Sequence, residues 1–149
     1  MRAVCQRVSR ASVTVGGELV GQIGSGWALL VGVGPNDGEA EAAWLVDRIA
    51  GLRVFEDDAG KMNRSAADVE ADFLVVSQFT LYADLSRGRR PGFSGAASPA
   101  VAAPLVVRVA GLLRERGFRV ETGRFGAEMA VELVNDGPVT IVLSSDGWS

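Results

Sequence analysis

Histidine is absent from all 149 residues, which removes the usual general base of hydrolases and the commonest transition-metal ligand. Ser-His-Asp and Cys-His mechanisms go with it. Cysteine occurs once, at Cys5, so neither an intrachain disulfide nor a multi-cysteine zinc site can form. Cys5 itself reads as a small buried hydrophobe on the first strand. Long apolar runs are also missing, and no segment approaches the roughly 20 residues of a membrane span. The opening "MRAVCQRVSRASVTV" lacks the continuous apolar block of a signal peptide, so a cytoplasmic location is expected. A formal net charge of −3 argues against a broadly basic surface that coats nucleic acid, while leaving room for a local basic patch. There is no internal repeat, low-complexity stretch or linker, and the length suits one domain.

What is present alternates between two periods. Val4, Val8, Val13 and Val15 with polar neighbours predict a half-buried strand, and Gly16-Gly17 between two β-prone runs predicts a hairpin. "WALLVGVG" (27–34) reads as a central strand. From "DGEAEAAWLVDRIAG" the spacing becomes helical, with Ala42, Leu45, Ile49 and Leu52 on one face, acids early, Arg48 late and Gly51 near the C-terminal cap. "LRVFEDDAGKMN" predicts a strand running into a turn, and "DFLVVSQFTLYAD" a long strand whose polar members begin at Ser77. After the Gly-, Ser- and Arg-rich loop "SRGRRPGFSGAASPA", a second helix is expected from about Ser98 to Gly117, with Leu105, Val109, Leu112 and Leu113 on one face. "FRVETGRFG", "EMAVELVN" and "PVTIVL" predict closing strands, the last two flanking a polar turn at Asn135-Asp136-Gly137-Pro138. Seven or eight strands and two main helices imply an α/β domain with a mixed or antiparallel sheet and helices packed against it.

Three stretches carry candidate chemistry. Ser77, Gln78 and Thr80 place hydroxyl and amide groups where an apolar strand gives way to a loop. They equally suit groups that only satisfy backbone at a strand end. Arg87, Arg89 and Arg90 follow, with Lys61 and Arg64 in another loop, and such clusters suit either phosphate contact or a solvated surface. At "NDGPVT" a hairpin turn competes with a functional reading, in which a cis Gly137-Pro138 bond aims carbonyl oxygens at a ligand's ammonium group. "FEDDAGK" lacks the spaced acids of an EF-hand, and "GVGPNDG" has neither the full dinucleotide fingerprint nor a Walker lysine-serine pair.

Taken together, "GLRVFED", "GKMN", "SQFTLYAD", "GRRP" and "FGAEMAVELVNDGPVT" resemble the D-aminoacyl-tRNA deacylase family over nearly the whole chain. The resemblance implies an ester hydrolase, without metal or other cofactor, that frees D-amino acids, and in many members glycine, from the 3′-terminal ribose of tRNA. It implies a β-barrel-like α/β domain that forms a homodimer with a site at each interface, and no membrane or DNA partner. Ser77, Gln78, Phe79 and Thr80 match the first motif, which lines the pocket. Gly137 and Pro138 match the second, a cis pair inserted into the partner's pocket, and Arg7 matches an arginine that holds that pair. Cys5 stands at a position usually aliphatic, and residues 146–149 look like an added, flexible tail.

An aminoacyl ester is already activated, so hydrolysis needs chiefly a positioned water and donors for the developing oxyanion. Backbone N–H groups around Phe79 and Thr80 and the ribose 2′-OH suit those tasks better than Thr80 as a nucleophile without a base. If the Gly137 and Pro138 carbonyls hold the ammonium group, an L side chain meets the pocket wall, and glycine passes. The competing expectation is a tRNA-end or nucleotide-binding protein without catalysis; a purely structural interaction domain leaves the Ser77–Thr80 cluster unexplained.

Overall fold

The computed structural model describes residues 1–148. Its elements run β1 (Arg2–Val15), β2 (Glu18–Ile23), β3 (Gly26–Gly32), α1 (Glu39–Gly51), β4 (Phe55–Glu56), β5 (Met62–Arg64) and β6 (Asp72–Ser77). A 3₁₀ turn (Phe79–Tyr82), α2 (Pro99–Glu115), β7 (Val120–Thr122) and β8 (Ala130–Ser144) complete them. Among the described residues no helix is long and apolar enough to cross a membrane.

β1 organises the sheet because it is long enough to serve three partners. One edge pairs antiparallel with β3 from Arg2 to Val8 and then with the β2 hairpin from Ala11 to Val15; the other pairs with β8 along most of its length. β3 carries β6 in parallel and β6 carries β7 in parallel, giving the order β2-β1-β3-β6-β7 with β8 on the far side of β1. β2 curls back to touch β6 and β7, so the mixed sheet nearly closes as a barrel. β4 and β5 form a separate two-stranded ribbon.

The unbroken apolar runs of β3 and β6 follow from burial on both faces. Trp27, Leu29, Val31, Phe73 and Val75 point into the core beneath the helices; Ala28, Leu74 and Val76 point into a second core inside the curl, with Val8, Val13 and Ile23. α1 buries Ala42, Leu45, Val46, Ile49 and Ala50, and its start is tied by the Gly38 N–H donating to the Glu41 carboxylate at 2.8 Å. The helix ends at Gly51 with an extended Leu52, so Gly51 is its last residue rather than a left-handed cap. α2 begins after Ser98 with Pro99 in its first turn and buries Ala102, Val106, Val109, Ala110 and Leu113, while Leu105 and Leu112 are only half-buried.

Three sequence expectations change. The strand expected through "DFLVVSQFTLYAD" stops at Ser77 and turns into the 3₁₀ segment. β7 covers only Val120–Thr122 of "FRVETGRFG". The polar turn expected at Asn135–Pro138 does not end the strand: β8 continues through it as a bulge, with residues 136–139 opposite Arg7 between the Val8–Asn135 and Gln6–Thr140 pairs. Near the C-terminus, Asp146 and Trp148 fold back on Arg2. Its guanidinium donates to Asp146 at 3.1 Å and lies 4.7 Å from the Trp148 ring centroid. Ser149 lies outside the described residues.

Candidate active site

The turn that carries Phe79 and Thr80 is set by what lies beneath it. Gln78 extends the β3 pairing by one bond, its N–H donating to the Val31 carbonyl at 2.7 Å. The chain then coils over the end of β3, where a side-chain carbon on Gly32 would stand 2.9 Å from the Gln78 carbonyl oxygen, and one on Gly34 3.0 Å from the Tyr82 hydroxyl. The glycines of "VGVG" therefore make room for the turn. Tyr82 is buried beside Asp37, which binds the Met1 ammonium at 2.6 Å and accepts the Gly34 N–H at 2.6 Å. Burial, and then the Asp37 and Asp146 carboxylates, push the Tyr82 phenol well above its ordinary range, so it stays neutral. From the other side Arg2 donates to the Leu81 carbonyl at 2.8 Å and stacks 4.2 Å from the Tyr82 ring centroid.

Within the turn the first internal bond runs from the Leu81 N–H to the Gln78 carbonyl. The N–H groups of Phe79 and Thr80 precede it and are left unclaimed by the turn itself. The Gln78 side-chain amide donates to the Thr80 hydroxyl.

Beside the turn lies a cavity of about 660 Å³, within the range of small-ligand sites. Ser77, Gln78 and Phe79 line it from the strand end, Ser98, Pro99 and Ala102 from the start of α2, and Phe125, Met129 and Val131 from the segment that enters β8. Phe93 closes it against Phe79, the two rings edge to face with centroids 5.0 Å apart. No acidic or basic side chain lines it. Phe93, Phe125 and Met129 were not among the sequence candidates. The signal was there in "PGFSG" and "RFGAE", where a phenylalanine beside glycine has no strand or helix to bury it.

Of the sequence candidates, Ser77, Gln78 and Phe79 meet at this cavity, whereas Thr80 stands just outside its lining. Arg7, Gly137 and Pro138 form a separate cluster. The Gly137-Pro138 peptide is cis, Gly137 has φ +125°, and both residues are exposed. Beneath them Arg7, only 4% exposed, donates to the Asp136 carbonyl at 3.0 Å and to the Val54 carbonyl at 2.5 Å. Its guanidinium would lie 3.1 Å from a side-chain carbon at Gly137. Val131, on the cavity wall, pairs with Val13, whereas Gly137 stands opposite Arg7, about 20 Å further along β1. The fold of one chain thus keeps its two motifs apart.

Comparison with known proteins gives one family. The family model described as D-Tyr-tRNA(Tyr) deacylase matches residues 4–144. A D-aminoacyl-tRNA deacylase of Roseiflexus sp. (strain RS-1) is 62% identical over 97% of this chain and 94% of its own. One of Symbiobacterium thermophilum is 60% identical over 98% and 97%. Among solved structures, a "c-Myc DNA Unwinding Element Binding Protein" superposes with a TM-score of 0.90 at 43% identity, covering 97% of this chain and 99% of that one. A probable eukaryotic D-amino acid tRNA deacylase, at 18% identity, shares the fold with a TM-score of 0.84 over 95% and 97% of the two chains. The match over nearly the whole chain and the identity to these relatives show that the chain belongs to the D-Tyr-tRNA(Tyr) deacylase family.

Proposed function

We propose that the cavity beside the Ser77–Tyr82 segment is where this chain hydrolyses the ester of D-aminoacyl-tRNA, with the terminal adenosine held against Phe79, Phe93 and Phe125. The observation that carries this reading is the lining itself: apolar and aromatic, without a titratable side chain, and bordered by two unclaimed backbone N–H groups. Such a site suits an already activated ester, which needs a fixed position and donors for the developing oxyanion. The N–H groups of Phe79 and Thr80 take that role, and the neighbouring ribose 2′-OH orients the attacking water. Ser77 and Gln78 position the substrate. The Thr80 hydroxyl, engaged by Gln78, has no base to activate it as a nucleophile.

The working unit is a homodimer. In one chain no charged side chain faces the ammonium group of an ester bound in the cavity, while Gly137 and Pro138 sit exposed on a 15-residue edge strand. A second copy laid along β8 covers that edge and carries its Gly137 and Pro138 carbonyls to the cavity mouth. Carbonyls held there by Arg7 accept the ammonium hydrogens, direct a D side chain to open space and drive an L side chain into the wall. Glycine has no side chain to exclude and passes. The result is removal of D-amino acids, and of glycine mischarged on tRNA, before translation, in the cytoplasm where aminoacyl-tRNA is used.

Separate incubations with D-tyrosyl-tRNA and L-tyrosyl-tRNA test the reading: D-tyrosine is released and the L ester survives. A protein that binds both without release would be a tRNA-end binding protein instead. Thr80→Ala keeps most single-turnover activity; an acyl group trapped on Thr80 of the wild type would overturn the noncovalent route.

A further inference from the structure

The geometry points to the loop between Asp84 and Gly92 as the phosphate-binding arm of the enzyme, gripping the strand that leads to the terminal adenosine through Arg87, Arg89 and Arg90. This rests on the cavity being the site of ester hydrolysis.

The loop is pinched at its base by a pair of backbone bonds. The Asp84 N–H donates to the Gly92 carbonyl at 2.8 Å and the Gly92 N–H to the Asp84 carbonyl at 2.9 Å. One root leaves the turn that carries Phe79, and the other enters Phe93, whose ring packs on Phe79. The loop that carries the three arginines is therefore rooted at the cavity. All three are exposed, and none makes a side-chain hydrogen bond or ion pair among the described residues.

Elsewhere the chain ties most of its arginines down. Arg2 is paired with Asp146, Arg64 with Asp58, Arg108 with Glu39 and Glu115, Arg116 with Asp47, and Arg119 with Asp72. In a chain of net charge −3, three unneutralised arginines gathered on one short loop are an exception. The loop's own acid, Asp84, stands at its base and accepts the Ser86 N–H at 2.9 Å. The cavity supplies no positive charge. A bound nucleotide chain carries its first phosphate immediately beyond the terminal nucleoside, so that charge has to be met outside the cavity, at its rim. Guanidinium groups meet phosphate in a fork of N–H donors and do so without regard to sequence.

The test compares wild type with the Arg87→Gln/Arg89→Gln/Arg90→Gln triple variant on two substrates, D-tyrosyl-tRNA and the D-tyrosyl ester of adenosine, at salt concentrations from roughly 50 to 200 mM. The preference for tRNA over the adenosine ester falls about tenfold or more, through KM. The slope of log kcat/KM for tRNA against log salt becomes shallower by roughly 0.7 to 0.9 for each phosphate that an arginine no longer neutralises. The corresponding triple Lys variant keeps most of the slope, since it keeps the charges. Equal losses on both substrates, or an unchanged salt slope, would overturn the proposal. So would a DNA duplex that competes with the substrate as well as uncharged tRNA does. Failure of the cavity reading looks different: Phe79→Ala and Phe93→Ala would then leave hydrolysis of both substrates intact, whatever the arginines do.

Discussion

Strand β3 buries Trp27, Leu29 and Val31 completely, whereas β8 leaves Val131, Val134 and Val142 between 37% and 40% exposed. Both strands pair with β1, and both are rich in β-branched and apolar residues. The difference lies in what covers them: β3 has a strand on each edge and a core on each face, while β8 is paired along one edge only. Apolar composition alone therefore does not say whether a strand serves the monomer's stability or a second chain. A long apolar strand with an open edge is a liability unless another chain meets it.

The sharpest break of this comparison is in stability. Leu29→Ala removes a fully buried side chain and is expected to cost about 3 kcal/mol in urea unfolding. Val134→Ala, measured at concentrations too low for self-association, is expected to cost under about 0.5 kcal/mol. Above that concentration Val134→Asp shifts the sedimentation profile toward monomer. Equal costs for Leu29→Ala and Val134→Ala in the dilute protein would mean that β8 belongs to the monomer's core after all.

The next break is in activity. Phe79→Ala alters the cavity, and Gly137→Val forces a branched side chain onto φ +125°, where a Cβ would already stand 3.0 Å from Val139. Each variant alone is expected to lose about 100-fold in kcat/KM for D-tyrosyl-tRNA, a difference of about 2.7 kcal/mol. If the proposed dimer is the working unit, coexpression of the two variants gives mixed dimers in which one site has both an intact cavity and an intact opposing Gly137 segment, and activity returns in part. No recovery in a verified mixed dimer removes the cross-subunit arrangement. Arg7→Lys is expected to fall between these and wild type, near a tenfold loss. An ammonium cannot reproduce the fork that reaches both the Asp136 and Val54 carbonyls.

How far the sequence could be read follows the same division. Two-sided strands and amphipathic helices were legible because burial imposes a local pattern, as in "WALLVGVG" and in Ala42, Leu45 and Ile49. Ser77, Gln78 and Thr80 were legible as the place where that pattern ends, and the first two line the cavity, whereas Phe79 came only with the family motif. The 3₁₀ turn after Ser77 was not legible, since it depends on Gly32 at the end of β3 and Gly34 just beyond it leaving room for Tyr82. The continuity of β8 through "NDGP" was hidden too. Local turn chemistry favours a hairpin there, and only the bulged pairing with β1, anchored by Arg7, overrides it. Phe93 lies far along the chain from Phe125 and Met129, and no spacing rule joins them.

The smallest effect sharpens the comparison within β8 itself, because its C-terminal end is tied to the turn while its middle is not. Burial works against the Asp146 carboxylate, but hydrogen bonds from the Ser144 hydroxyl, the Arg2 guanidinium and the Trp148 N–H hold its pKa down to about 2. A carboxyl whose folded pKa lies below its unfolded value of roughly 3.9 stabilises the fold at higher pH. That stabilisation is present above about pH 4 and is lost as pH falls toward 2. The side chain is 38% exposed, so screening limits the contribution to about 1 kcal/mol or less. Asp146→Asn should therefore be slightly less stable than wild type in urea unfolding at about pH 6, with the difference shrinking below about pH 4 and vanishing near pH 2. A difference that does not change with pH would show that the neutral hydrogen bonds, or the stacking of Arg2 between Tyr82 and Trp148, fasten this end of β8 without the ion pair.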